Sequence, residues 1–195
     1  MRISLLLVMA ILPFNFCQAK DAPAYAASAI AEDMKTGMYA VVRDSEIRFE
    51  INSQKNATVY GHLVITILNA NALTCARKVL FYDKFTTIKS FKGTSYDASG
   101  NVIKKLKSSE IYDQSQAEGS LYSDDRLKVA DLSNGTYPYT VEFEYEIEYK
   151  ALLYAPGFQL YTDDEISIEK SKYVLVYPPT LKPRYKIFKI QEPKT

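Results

Sequence analysis

The stretch Thr140-Val141-Glu142-Phe143-Glu144-Tyr145-Glu146-Ile147-Glu148-Tyr149 alternates acidic and apolar side chains without a break. Successive side chains of a β-strand point to opposite faces of a sheet, so the apolar set shares one face and four glutamates share the other. A register slip of one residue would bury the carboxylates and expose several apolar side chains, whose burial is worth roughly 1.5 to 3 kcal/mol each. The stretch therefore predicts a strand with one core face and one solvated face.

The same two-residue period recurs from Met38 nearly to the C-terminus, and turn residues separate the apolar runs. Asp97-Ala98-Ser99-Gly100 and Asn134-Gly135 are the clearest turns, because Asp bonds its own backbone and Gly accepts positive φ. Many short strands with almost no helix between them predict a mainly β fold, an antiparallel β-sandwich. The expected strands are Tyr39 to Arg43, Ile47 to Ile51, Thr58 to Leu68, Lys78 to Tyr82, Thr86 to Tyr96, Asn101 to Leu106, Tyr122 to Leu132, Tyr137 to Tyr149, Ile166 to Ile168 and Tyr173 to Tyr177.

The first residues have the pattern of a secretory signal peptide. Arg2 supplies a positive start, Leu5 to Leu12 is an apolar run, and Ala19 is a small residue suited to cleavage. The run is shorter than the roughly 20 residues that span a bilayer, so a permanent anchor is the weaker alternative, as is a lipid attached at Cys17. We expect export to the periplasm or cell surface of a bacterium, with no permanent membrane span after cleavage.

Three regions are expected after the leader of residues 1–19. Residues 20–37 should contain one short helix, which Ser28 can cap and Gly37 can end. Residues 38–185 should form the β-sandwich module, and residues 186–195 a tail. The apolar run around Tyr185 and Ile187 is expected either to close the sandwich or to pair with another chain.

Composition and charge indicate a folded protein that does not bind nucleic acid. Hydrophobic residues make up 47% of the 195 residues and charged residues 24%, which is typical of globular proteins. Without Arg2, 23 of the 24 basic residues remain against 23 acidic residues, so the exported chain has no formal net charge. Nucleic-acid binding depends on neutralising phosphates, for which a neutral chain is poorly suited.

The residue types that carry catalysis are scarce. Cys75 and His62 are the thiol and imidazole left after the leader, and their ordinary roles as a packed small residue and a sheet-face imidazole fit better than a nucleophilic pair. The four-glutamate face lacks a Gly-bounded Asp/Asn loop of calcium-binding spacing, so a solvated face paired with Lys or Arg is favoured. We predict that the protein is not an enzyme and holds no cofactor and no metal.

Two loops are the candidates for binding. Tyr154-Ala155-Pro156-Gly157-Phe158 places aromatic residues on both sides of a Pro-Gly turn, and aromatic rings can stack on sugars or peptides. The second is the polar segment from Gln114 to Arg126. The predicted contact residues of the two loops are Tyr122, Asp124, Asp125, Arg126, Tyr154, Phe158 and Tyr161.

The sequence resembles a known family from Ala24 to Tyr185. The resemblance is most specific in two stretches, Tyr122-Ser123-Asp124-Asp125-Arg126 and Tyr137-Pro138-Tyr139-Thr140-Val141-Glu142. They resemble a bacterial domain of unknown function that stands at the N-terminus of exported proteins, directly before a transglutaminase-like, papain-type domain. The resemblance implies a β-sandwich module. Relatives continue into a catalytic domain with Cys, His and Asp in that order, which this sequence lacks, so the expectation is a free module or a truncated form of a longer ancestor.

These observations lead to three hypotheses of function. The first is an exported, non-catalytic β-sandwich module that binds or scaffolds envelope proteins or a peptide-like ligand. The second is a carbohydrate-binding module that uses the same aromatic residues. The third is a regulatory subunit of a separately encoded transglutaminase-like peptidase.

Overall fold

The computed structural model describes residues 24–116, 124–151, 155–158 and 163–184. Strands dominate these residues, which confirms the predicted mainly β fold. The elements are the helix α1 (Glu32–Lys35) and the strands β1 (Ala40–Ile51), β2 (Ala57–Ile67), β3 (Arg77–Tyr82), β4 (Thr86–Tyr96), β5 (Val102–Lys105), β6 (Tyr112–Ser115), β7 (Arg126–Asp131), β8 (Tyr139–Tyr149), β9 (Ile166–Ile168) and β10 (Ser171–Val176), with short 3-10 turns at Ala27–Ala29, Ala70–Ala76, Ser108–Glu110 and Pro179–Leu181.

The strands form a large and a small sheet. The large sheet has the order β10-β1-β2-β8-β4-β5, with β9 also paired to β1, and the small sheet has the order β3-β7-β6. Most neighbours are antiparallel, but β9 and β10 run parallel to β1, which the predicted antiparallel arrangement did not include. The 16 residues between β8 and β9 make this possible, because a parallel addition needs a crossover of about a dozen residues or more.

The alternation of β8 determines the core. Val141, Phe143, Tyr145 and Ile147 are all buried, as the sequence predicted. They pack with side chains of β1 and β2 and with the inward face of the small sheet, to which Leu80 belongs. Each large apolar side chain contributes roughly 1.5 to 3 kcal/mol on burial, so this shared core holds the two sheets together.

The predicted strands nearest the N-terminus are corrected. The predicted pair Tyr39 to Arg43 and Ile47 to Ile51 is the single strand β1, whose pairing with β2 is irregular between Val42 and Asp44. A bulge absorbs one residue while pairing continues, so no turn is needed there. Asn134-Gly135, predicted as a turn, lies in the connection from β7 of the small sheet to β8 of the large sheet.

The segment predicted as a loop from Gln114 also differs, because Tyr112–Ser115 forms β6 against β7. The N-terminal helix is present as α1, and Gly37 follows it with φ of 77° as predicted. Ser28 does not cap it: Ser28 lies in the 3-10 turn Ala27–Ala29, and Ala31 occupies the N-cap without a side-chain bond.

The predicted leader at residues 1–19 and the tail at 186–195 lie outside the described residues. Across the part of the chain that the structure describes, no helix combines the length and apolar character needed to cross a membrane.

Candidate functional site

Glu142 of β8 is the centre of a polar cluster on the outer face of the large sheet. Its Oε1 lies 2.8 Å from His62 Nε2 and accepts a hydrogen bond from the Tyr25 hydroxyl at 3.0 Å. Its Oε2 accepts from the Tyr96 hydroxyl at 2.5 Å. These bonds, that of His62 above all, stabilise the carboxylate against the cost of burial and lower the pKa of Glu142 to about 2.

His62 lies between two carboxylates. Its Nε2 faces Glu142, and its Nδ1 is 3.6 Å from Asp44 Oδ2, which also accepts from Lys170 Nζ at 3.1 Å. The hydrogen bond to Glu142 raises the pKa of His62 above its ordinary value, although partial burial opposes the shift. The charged form is therefore more stable than in a free imidazole, and the ring links β1, β2 and β8.

The cluster also fixes the chain before the first strand. Residues 24–30, which we call the N-terminal strap, are held by the Tyr25 hydroxyl and by Thr140 Oγ1, which donates to the Tyr25 carbonyl at 3.1 Å. Ala27 N donates to Ala98 O at 2.9 Å. The strap buries Ala26 and Ile30. Because Glu142 already accepts from three side chains, the geometry favours a structural role over acid–base chemistry.

The predicted solvated glutamate face is therefore only partly correct. Glu148 pairs with Lys89 at 3.1 Å, as expected for such a face. Glu142 instead accepts from His62 and two tyrosines. The sequence pattern placed Glu142 on the correct face, but it did not reveal that the N-terminal strap covers this end of the sheet.

Cys75 and His62, the thiol and imidazole considered above as a nucleophilic pair, have different surroundings. Cys75 lies in the 3-10 turn Ala70–Ala76, packs against the core and has a pKa that burial raises. His62 is engaged by Glu142 and Asp44. Within the described ranges, no group of three or more His, Cys, Asp or Glu residues could hold a metal ion.

The predicted polar segment contributes one ordered cluster. Arg126 of β7 donates from Nη2 to Asp113 Oδ1 at 2.7 Å and from Nε to the Tyr82 hydroxyl at 2.7 Å, and its guanidinium lies 6.0 Å from the Tyr82 ring centroid. The carbonyl of Asp125 accepts from the Gln116 backbone. The cluster joins all three strands of the small sheet.

Of the remaining predicted contact residues, some lie within the described ranges and others lie outside them. Asp124 is exposed beside β7, whereas Tyr122, Tyr154 and Tyr161 lie outside the described residues. Phe158 contacts the Tyr173 ring, with centroids 5.6 Å apart.

Phe158 also lines a cavity of about 210 Å³ that includes Lys78 and Tyr145. Lys78 Nζ lies 5.2 Å from the Tyr145 ring centroid, and burial lowers the pKa of this ammonium. Phe158 and Arg126 thus have different neighbours, so the two predicted loops do not share a set of contact partners.

The small sheet has an exposed apolar surface that was not predicted from the sequence. The exposed fractions are 38% for Val79, 60% for Phe81 and 62% for Tyr112. On the same side of the sheet, Val129 of β7 lies between Val79 and Tyr112 and is only 7% exposed, and the half-buried Leu127 lies beside Phe81. We call these five residues the outer apolar face. The sequence of β3 does indicate this surface, because apolar residues occupy successive positions instead of alternate ones. Both faces of the strand are therefore apolar.

Comparisons with known proteins support the fold. Comparison with curated proteins gives no match. The crystal structure described as "a putative protease from Parabacteroides distasonis ATCC 8503" matches with a TM-score of 0.62 at 14% identity, over 74% of this chain and 30% of that chain. This chain thus spans less than a third of the length of that protein. The family model "Domain of Unknown Function with solved-structure structure (DUF3857)" matches residues 37–195. The chain belongs to the DUF3857 family.

Proposed function

We propose that this protein is an exported, non-catalytic β-module that binds another protein of the cell envelope, and that the partner is a transglutaminase-like, papain-type peptidase domain on a separate chain. The observation that carries the proposal is the outer apolar face of the small sheet. Phe81 and Tyr112 expose 60% and 62% of their surface there, on the two strands that flank β7.

The composition of this surface fits a protein interface. Single exposed apolar residues are ordinary on protein surfaces, but a contiguous apolar patch marks an interaction site. Aromatic residues are enriched in the buried centres of interfaces, and polar residues surround them. Here the ion pair between Arg77 and Asp131, at 3.1 Å, and the exposed Gln114 lie at the edges of the apolar residues.

The comparisons support the choice of partner. A fold similar to this chain forms less than a third of the Parabacteroides distasonis protein, which is described as "a putative protease". In that protein the fold therefore occurs together with further polypeptide. The sequence resemblance to a domain that precedes transglutaminase-like domains favours the same kind of neighbour.

The outer apolar face can be tested by site-specific photo-crosslinking in the source bacterium. A benzophenone amino acid replaces Phe81 or Tyr112, and the same group at Tyr60, which is 41% exposed on the large sheet, is the control. We expect one product shared by the first two positions and absent at Tyr60, containing a protein with a Cys-His-Asp domain. Absence of that product, or its formation at Tyr60, would contradict the proposal.

A groove of about 260 Å³ on the outer face of the large sheet favours carbohydrate binding as the second candidate. Tyr60 lines it, with Arg48 opposite on β1 and Glu146 opposite on β8. A flat ring beside charged hydrogen-bonding groups suits a sugar. On a glycan array, saturable binding that Tyr60→Ala removes and Tyr112→Ala retains would favour this function. Loss with Tyr154→Ala would instead assign the binding to the predicted loop.

A further inference from the structure

Among the strands that the structure describes, β4 has two neighbours along one half and a single neighbour along the other. β8 pairs with β4 from Thr86 to Tyr96, with a register shift at Lys89 between Ile88 and Ser90. On its opposite side β5 pairs only from Thr94 to Tyr96, and Leu106 N bonds Gly93 O at 2.8 Å. Among the described strands, residues 86–92 therefore pair on one side only. An unpaired strand edge presents N–H and C=O groups that can accept another strand.

A cleft of about 470 Å³ lies along this half of β4, between the large and small sheets. Phe91 and Ile111 line it with apolar side chains, and Lys92 and Lys128 line it with basic side chains. The carboxylate of Asp113 also lines the cleft, but it is already hydrogen-bonded within the small sheet. The cleft therefore combines an open strand edge, apolar side chains and positive charge.

The strand that already pairs with β4 shows which side-chain pattern suits its faces. Glu144 of β8 lies opposite Lys92 on the outer face of the sheet. Tyr145 of β8 lies opposite Phe91 on the inner face, and the two rings are in contact with centroids 6.5 Å apart. A second neighbour on the free side would meet the same alternation of positive charge and apolar surface, because both neighbours share the faces of β4.

We propose that the free edge of β4, residues 86–92, binds an extended acidic peptide of a partner protein by strand addition. The main chain of the peptide pairs with β4, its carboxylates lie near Lys92, and its apolar side chains pack toward Phe91 and Ile111. Lys128 attracts the negative charge from across the cleft. In this mode of recognition main-chain bonds provide affinity and alternate side chains provide specificity. The site is separate from the outer apolar face, so either can fail without the other.

The test is fluorescence anisotropy with a labelled synthetic peptide, Glu-Val-Glu-Phe-Glu-Val-Glu, and the full exported chain. One comparison peptide has alternate backbone amides N-methylated, which removes main-chain donors, and another has Lys in place of every Glu. We expect saturable binding of the first peptide and binding at least about tenfold weaker for both comparison peptides.

The protein variants separate the edge from general charge. Lys92→Glu combined with Lys128→Glu should weaken binding by about tenfold or more, because two ion pairs become repulsive. The matched control, Lys55→Glu with Lys182→Glu, changes the net charge equally at exposed positions outside the cleft and should bind as the unchanged chain does.

Several results would overturn the proposal. One is the absence of binding at peptide concentrations up to about 1 mM. Another is that the N-methylated peptide binds as tightly as the unmodified peptide. A third is that the Lys92 and Lys128 double variant binds the peptide as tightly as the unchanged chain does. Light scattering provides another: if the chain forms dimers that the same double variant abolishes, the edge belongs to a second copy of this chain and not to an acidic peptide.

Discussion

The Tyr25 hydroxyl donates a hydrogen bond to Glu142 Oε1 at 3.0 Å, although 117 residues separate the two in sequence. The rings of Tyr25 and Tyr96 also pack edge to face, with centroids 4.9 Å apart. Together these contacts hold the N-terminal strap on the large sheet, where Ala26 and Ile30 are buried. Glu142 therefore connects the start of the described chain to the central strands.

Replacing the hydroxyl should weaken this connection. We expect Tyr25→Phe to lower the free energy of unfolding by about 1 kcal/mol, because a partly buried hydrogen bond to a carboxylate is lost while the ring remains. Urea unfolding followed by circular dichroism measures the change. Tyr112→Phe, at an exposed ring, is the matched control and should have no measurable effect. Equal effects of the two substitutions would contradict the role of the bond.

Glu142 should make stability depend on acid pH. Its pKa falls from 4.5 to about 2 on folding, so its contribution is present above pH 4.5 and is lost as the pH falls toward 2. The shift corresponds to at most about 3 kcal/mol, because solvent screening at a partly exposed carboxylate reduces the effect. Urea midpoints between pH 6 and 2 should decline less steeply in Glu142→Gln than in the unchanged chain. Glu144→Gln, at an exposed glutamate of the same strand, should keep the original slope.

His62 should titrate above its ordinary value. It is the one histidine in the sequence, so its ring proton signals in an NMR titration need no assignment among residues. We expect a midpoint above 6.5 that moves toward 6.5 in Glu142→Gln. Its contribution to stability is present below pH 6.5 and is lost as the pH rises through the folded-state pKa. A midpoint that Glu142→Gln leaves unchanged would show that this carboxylate does not cause the shift.

Gly61 should not tolerate a side chain. A Cβ at this position would lie 2.0 Å from Tyr145 Cζ, whose ring is buried in the core. We expect Gly61→Ala to destabilise the protein by about 1 to 3 kcal/mol, since the ring must move within a packed interior. Thermal unfolding measures this. Gly135→Ala is the control, because no atom lies within 4 Å of the added carbon. A Gly61→Ala variant as stable as the control would contradict this packing.

Local periodicity predicted most strands and their faces. β8 was expected from Tyr137 to Tyr149 and extends over Tyr139–Tyr149, with Phe143 and Tyr145 buried as predicted. β4 was expected at Thr86 to Tyr96 and occupies those residues. The prediction succeeds because strand side chains alternate with a period of two, so a single segment shows which face must be buried.

The candidate binding residues were harder to predict. Arg126 and Phe158 were chosen as loop contacts, and the structure places Arg126 in a strand beside Tyr82 and Phe158 beside Tyr173. The outer apolar face was missed, although Phe81 and Val79 alternate with the inward Leu80 in the sequence. An apolar residue in a strand does not by itself reveal whether another layer covers it.

The sequence by itself determined that the chain is built mainly from β-strands, which side chains of β8 are buried, and where tight turns such as Asp97-Ala98-Ser99-Gly100 lie, because these depend on neighbours in sequence. Only the tertiary structure decided that β9 and β10 join β1 in parallel, that β3, β6 and β7 form a separate sheet, and that Tyr25 reaches Glu142. Those features depend on which distant segments pair, and a two-residue period specifies the face of a strand but not its partner.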